Sequence, residues 1–157
     1  MIDTPDHLAG RLREEGNKLQ DYFLGLPPQT WDMQVYSDGM QWTVRQVLAH
    51  ITSTENSMGR LVKNILAGGA GAPEDFDIDA YNERKVLEQN DQPVAELIRQ
   101  FTECREANTL LAAQLTQEDL ARLGRHPFLG NVPISEIIKM IYRHDQIHLR
   151  DLRKLLT

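Results

Sequence analysis

Apolar residues along this chain recur at steps of three, four or seven, the spacing of one helix face, and nowhere settle into the alternation of a half-buried strand. Leu8, Leu12, Leu19 and Phe23 make the first such stripe. Thr4 precedes it as a cap and Pro5 as first helical residue, where a missing N–H costs nothing, and Pro27-Pro28 stops it. Gln29 to Gln41 holds Asp38-Gly39 and no long period, so it reads as a connection. The clearest start signal follows. Thr43 with Gln46 three residues on spells a capping box, and Trp42 ahead of it suits a hydrophobic staple. The helix it opens carries Val44, Val47, Ile51, Met58, Leu61 and Ile65 on one stripe, runs about 24 residues, and ends at Gly68-Gly69.

Small residues from Gly68 to Pro73, then Glu74, Asp75, Asp77 and Asp79, predict a flexible surface loop, with the glycines as hinge or linker. They lack the Lys-Ser/Thr ending of a phosphate loop. Ala80 to Leu87 suits a short helix, and Pro93 opens a third long one through Leu97, Phe101, Leu110 and Leu115. Thr116 with Asp119 restarts a brief helical turn, Gly124 to Gly130 reads as a loop, and Pro133 opens a final helix running nearly to Thr157. Four long helices without strand alternation predict an all-α four-helix bundle with short extra helices in its connections.

Composition narrows the function classes. At 157 residues, 41% hydrophobic and 25% charged, the chain suits a single domain over 1–157 with a sizeable core. A formal charge of -6 works against nucleic acid or an anionic membrane as main partner. Cys104 is the only cysteine, which excludes an internal disulfide and a cysteine-built metal site. The start, Met1-Ile2-Asp3-Thr4, has no secretory character, and no run of about 18 apolar residues exists to span a membrane, so a cytoplasmic protein is expected.

The candidate chemistry lies in the histidines. On the last helix the inward stripe passes through Ile134, Ile137, Ile141, His144 and His148, which places two imidazoles at core positions. They lie about 40° apart around the axis and about 6 Å along it, so both reach one point beside the helix. On the second helix His50 precedes stripe residue Ile51, among the polar neighbours Thr43, Gln46, Ser53, Thr54 and Ser57, as a partly wet cavity would require. Burying unpartnered imidazoles costs about 1–3 kcal/mol each, which a shared metal removes. The pattern alone leaves two readings open: a metal site of His50, His144 and His148, or histidines satisfied in the core or at its rim. A zincin is disfavoured, because Asp145 and not Glu follows His144 and points about 100° away.

Three segments together resemble a known family. Trp42-Thr43-Val44-Arg45-Gln46-Val47-Leu48-Ala49-His50, Asp79-Ala80-Tyr81-Asn82-Glu83, and His126-Pro127-Phe128-Leu129-Gly130 followed by Arg143-His144-Asp145-Gln146-Ile147-His148-Leu149 are similar to the DinB/YfiT-like superfamily of four-helix-bundle metalloproteins, in family order over nearly the whole chain. The resemblance implies an up-down-down-up bundle. It also implies a divalent metal on His50, His144 and His148, zinc or nickel first, with iron and manganese as further candidates. Homodimers, and transfers or isomerisations that use a low-molecular-weight thiol such as bacillithiol, mycothiol or glutathione, are implied as well.

Three neutral imidazoles leave a coordination position open, as in catalytic sites. A thiol ligated there loses its proton near neutral pH, and a bound water falls to a pKa of about 7. The favoured expectation is a metal-dependent S-transferase joining a small thiol to an electrophile. The alternatives are a metal-dependent hydrolase and a non-catalytic metal or small-ligand binding protein; no residue is placed as general base. By resemblance Tyr81, Asn82 and Arg84 border the pocket. Asp145 or Gln46 would orient an imidazole, although a surface salt bridge is the commoner fate of a helical Asp. Cys104 is expected to be a buried filler, and His7 and His126 to be exposed.

Overall fold

The computed structural model describes residues 2–156; Met1 and Thr157, named above as the ends of the chain, lie outside the described residues. Four long helices are present: α1 (Pro5–Leu24), α2 (Val44–Leu66), α4 (Val94–Gln114) and α6 (Ile134–Leu156). Between them lie α3 (Ile78–Glu88), the single turn α5 (Gln117–Leu120), and the short strands β1 (Leu123–His126) and β2 (Gly130–Pro133). The expected start signals form. Thr4 Oγ1 accepts from His7 N at 3.2 Å with Pro5 at the first position, and the Thr43/Gln46 box closes through Gln46 N to Thr43 Oγ1 (3.3 Å) and Thr43 N to Gln46 Oε1 (3.0 Å). Thr116 and Asp119 make a second reciprocal box. No helix among the described residues is long and apolar enough to cross a membrane.

Side-chain pairings fix the directions. Thr52 donates to Leu97 O and Asn108 to Glu55 O, so α2 and α4 run parallel. Arg105 donates to Leu12 O while Gln117, just past α4, reaches Asp3 O, which sets α4 antiparallel to α1. Arg11 lies over the Tyr142 ring and Arg153 over the Tyr22 ring, so α1 and α6 run parallel. The result is the up-down-down-up arrangement, with α4 and α6 each packed between α1 and α2.

A charged layer divides the core. One apolar cluster gathers around Phe23, Leu48, Ile51, Phe101 and Leu152, the other around Leu8, Leu12, Val62, Ile134 and Ile137. Between them the buried Arg105 guanidinium holds Glu55 through two bonds of 2.7 and 2.8 Å and also contacts Asp145, while Asn108 Nδ2 donates to Glu55 at 2.9 Å. Gly16 and Gly59 leave the space: a Cβ would come within 2.7 Å of Arg105 Cγ at the first and 2.3 Å of Asn108 Oδ1 at the second. Asp145 therefore does not make the surface ion pair expected of it. It is 3% exposed, and burial pushes its carboxyl upward against the opposing pull of Arg105. Leu110, assigned to the inward stripe of α4, is instead half exposed; Arg105, Asn108 and Thr109 occupy the inner face.

The connections also correct the sequence reading. Residues 124–130, expected as a loop, belong to a two-stranded antiparallel ribbon with Leu123 opposite Pro133 and His126 opposite Gly130. Strands of four residues are too short to display a period. The segment after α2 is no free linker either: Arg125 N donates to Ala70 O at 2.9 Å and Ala72 N to Arg125 O at 2.8 Å, which lays residues 70–72 along β1. Gly71 is required there, with φ +90° and a Cβ that would stand 2.5 Å from the Arg125 backbone.

Candidate metal centre

Helix α2 contributes His50, and α6, antiparallel to it, contributes His144 and His148 one turn apart. Their ligand nitrogens all lie within 4.8 Å of one another. His144 Nε2 stands 2.9 Å from His50 Nε2 and 3.0 Å from His148 Nε2. A neutral imidazole nitrogen is either one donor or one acceptor, so a single His144 Nε2 cannot bond well to two other Nε2 atoms at once. A cation accepted by all three lone pairs removes the conflict. The donor set, three borderline nitrogen ligands from rigid helices, fits zinc or another late divalent metal.

Electrostatics favour the lone pairs. Burial pushes His50 down to about 3, assisted by His148, and His148 down to about 4 against the opposing Asp151 carboxylate. Burial also holds His144 well below the ordinary imidazole range. All three rings are neutral at pH 7. The Nδ1 atoms of His50 and His144 are buried without a hydrogen-bond partner among the described residues, so only His148 has its outer nitrogen engaged by a protein group.

His148 is oriented by residues that the sequence reading did not single out. Tyr36, from the connection before α2, places its hydroxyl 2.9 Å from His148 Nδ1 and donates to Asp151 Oδ2 at 2.7 Å. With that proton given to Asp151, the oxygen accepts from His148 Nδ1–H, which leaves the Nε2 lone pair for the shared point. Trp42 lies against His50, with ring centroids 4.6 Å apart. The two expected orienting residues do other work: Gln46 is held in its capping box and Asp145 by Arg105.

A cavity of about 740 Å³ opens beside His50 and His144. Its wall includes Met58, Leu61, Phe76 and Met140 and, among the described residues, no aspartate or glutamate. Tyr81, Asn82 and Arg84 lie on it as the resemblance implied, and Tyr81 Oη is 2.6 Å from Ser57 Oγ. Of the polar neighbours of His50, Thr54 and Ser57 line the cavity, whereas Thr43 and Gln46 are engaged in the capping box and Ser53 donates to His50 O. His126, expected in solvent, is 5% exposed and also lines this cavity. Its Nδ1 accepts from the backbone N–H of Phe128 and of Leu129, both at 3.0 Å, so the neutral ring carries its proton on Nε2. The only hint in the sequence was that His126-Pro127 opens a turn, where a side chain often satisfies backbone donors. His7 is exposed as expected, and Cys104 is half-buried on α4, away from the cavity.

Comparison with known proteins agrees with this architecture. The family model described as DinB superfamily matches residues 11–152. A mycothiol-dependent maleylpyruvate isomerase superposes with a TM-score of 0.78 at 13% identity, covering 96% of this chain and 63% of that one, so the chain spans less than two thirds of that structure. YfiT from Bacillus subtilis, described as a probable metal-dependent hydrolase with an unusual four-helix bundle topology, gives 0.78 at 23% identity, covering 99% and 88%. The colibactin self-resistance protein ClbS, solved in complex with a dsDNA, gives 0.70 at 15%, covering 100% and 99%. No curated protein matches the sequence.

Proposed function

The chain belongs to the DinB superfamily, and on that premise we propose that His50, His144 and His148 hold a divalent metal, zinc or nickel, at which a small thiol is activated for transfer to an electrophile. One observation carries the reading: three neutral imidazoles converge beside a largely apolar cavity, with His50 and His144 in its wall and, among the described residues, no carboxylate lining it. The metal would supply Lewis acidity, which lowers the pKa of a thiol so that a nucleophilic thiolate is available near neutral pH. Tyr36 and Asp151 fix the tautomer of His148, Met58, Leu61 and Phe76 give a substrate apolar surface to pack against, and Tyr81 with Ser57 offers hydroxyls to it. The thiol and the electrophile, association as a homodimer, a single-domain organisation and a cytoplasmic location belong to the same reading. A duplex partner does not, because the charge of -6 opposes one.

Hydrolysis is the second reading, favoured by the likeness to YfiT. The metal would itself lower the pKa of a bound water, and a general base beside it would assist the attack. The cavity offers no carboxylate, and His126 presents a donor there because its Nδ1 is engaged.

The test uses untagged protein. Elemental analysis should find stoichiometric metal that is lost in His50→Ala, and thioether formation between bacillithiol, mycothiol or glutathione and monochlorobimane should stop on chelation and in His144→Ala. Metal retained in His50→Ala overturns the site. Metal-dependent ester or amide hydrolysis without thiol transfers the function to the second reading, and metal binding without turnover transfers it to a binding role.

A further inference from the structure

The cavity beside the histidines carries a charge bias opposite to that of the whole chain. Acidic residues outnumber basic ones by 23 to 17, yet the charged residues of the cavity wall are Arg60, Arg84 and Lys85. Arg84 and Lys85 share one carboxylate, Glu88, at 3.8 and 3.1 Å, one turn further along α3 and outside the wall. Among the described residues the wall itself holds these three cations and no carboxylate; Glu74, Asp75, Asp77, Asp79 and Glu83 are interleaved in sequence with its residues but lie outside it. Both α3 cations also rest near the Tyr81 ring, 5.4 and 5.7 Å from its centroid, and Tyr81 is tied to Ser57 on α2. They are thereby held at the cavity. Ser57 and Arg60 follow His50 on α2 by about 10 and 15 Å along the helix axis, so histidines and cations mark separate regions of one elongated space. Its volume of about 740 Å³ suits a small organic molecule.

We propose that this cavity selects an amphipathic anion: a ligand whose apolar body packs against Met58, Leu61 and Phe76 and whose carboxylate, or a comparable anionic group, is held by Arg60, Arg84 and Lys85. Placing the ligand's other end, a thiol, at the three histidines rests on the function proposed above; the preference for an anion does not. Apolar surface supplies most of the affinity and the rim cations supply the discrimination, since an uncharged analogue forgoes the charge-assisted bonds while keeping the burial.

Two measurements separate the claims. The first uses metal-free protein and two fluorescent probes of similar shape, anionic anilinonaphthalene sulfonate and uncharged N-phenylnaphthylamine. The triple variant Arg60→Gln, Arg84→Gln, Lys85→Gln should weaken the anionic probe about tenfold and the uncharged one less than about twofold, with a gap that narrows as salt rises. Arg13→Gln, on the exposed face of α1, should change neither. Equal effects on both probes, or none on the anionic one, overturn the proposal. The second loads the protein with cobalt(II) and follows the thiolate absorption band on titration with mercaptohexanoate and with mercaptohexanol. The acid should bind about tenfold more tightly, and the triple variant should erase the difference. Equal binding of both thiols to the unmodified protein sinks the anion preference and leaves the thiol reading intact. No band with either thiol, alongside a charge-selective first measurement, sinks the thiol reading and leaves the anion preference standing.

Discussion

Replacing Tyr36 with phenylalanine removes one oxygen atom and keeps the ring that stands against His148, centroids 6.0 Å apart. The lost oxygen is the acceptor for His148 Nδ1 at 2.9 Å and the donor to Asp151 Oδ2 at 2.7 Å. Burial, with the Asp151 carboxylate adding to it, pushes the Tyr36 hydroxyl above the ordinary phenol range, so it keeps its proton at neutral pH. In Tyr36→Phe the metal-free ring is at liberty to adopt either tautomer. Ligation through Nε2 forces the proton onto Nδ1, where it finds no partner. The penalty of an unsatisfied buried donor, about 1–3 kcal/mol, thus falls on the metal-bound state alone. It appears as a loss of affinity of about 5- to 150-fold, which brackets the roughly 10- to 100-fold usual for residues that orient a ligand.

Competition against a chromophoric zinc chelator measures this directly in the parent protein, Tyr36→Phe, Asp151→Asn and the double variant. The two single changes break one chain of bonds, so the double variant should lose little more than the worse single one. Metal-free Tyr36→Phe should keep the unfolding midpoint of the parent closely, because Asp151 retains contact with solvent and with Arg150 at 3.5 Å. Zinc affinity of Tyr36→Phe within about twofold of the parent refutes the orienting role, since the unsatisfied donor alone demands more than that.

Three further outcomes follow from the same structure. Arg105→Met leaves the Glu55 and Asp145 carboxylates facing each other without their cation and should cost about 3–5 kcal/mol in urea unfolding, while replacing all three with apolar residues restores most of it; a cost below about 1 kcal/mol for Arg105→Met would remove the network from the account. Gly71→Ala places a Cβ 2.5 Å from the Arg125 backbone at φ +90° and should cost about 1–3 kcal/mol, seen as faster amide exchange at Ala72 and Arg125 with α1 and α4 unchanged. Burial pushes His126 down to about 4 from an ordinary 6.5, so between those values the unfolded chain binds the extra proton and stability falls as pH is lowered, with no dependence from this residue above 6.5. His126→Asn keeps an acceptor for the two backbone N–H groups and cannot titrate; in metal-free protein its stability should decline less steeply across that window, and parallel curves would contradict the buried neutral ring.

The features legible in the sequence are those made by residues within one turn of each other. A Thr and a Gln three apart close a capping box in any tertiary setting, Pro5 behind Thr4 starts a helix, and two histidines four apart share a helix face, so α1, α2 and the pair His144 and His148 were readable without a fold. Tyr36 acts on His148 across 112 residues and Arg105 on Asp145 across 40, and no local rule marks either partner. The misplacement of Asp145 has a particular cause. The apolar periodicity marks a single inward stripe on α6, yet α6 packs between α1 and α2, and its buried arc widens to include Tyr142, Asp145 and Leu149 beside His148. A charge inside that arc persists only when a partner of opposite sign arrives from another helix. The same widening lets one turn of α6 serve two purposes. His144 and His148 turn towards His50 on α2 while Asp145 turns into the Arg105 layer, so the candidate ligands stand on a helix whose rotation is held by a buried ion pair beside His144.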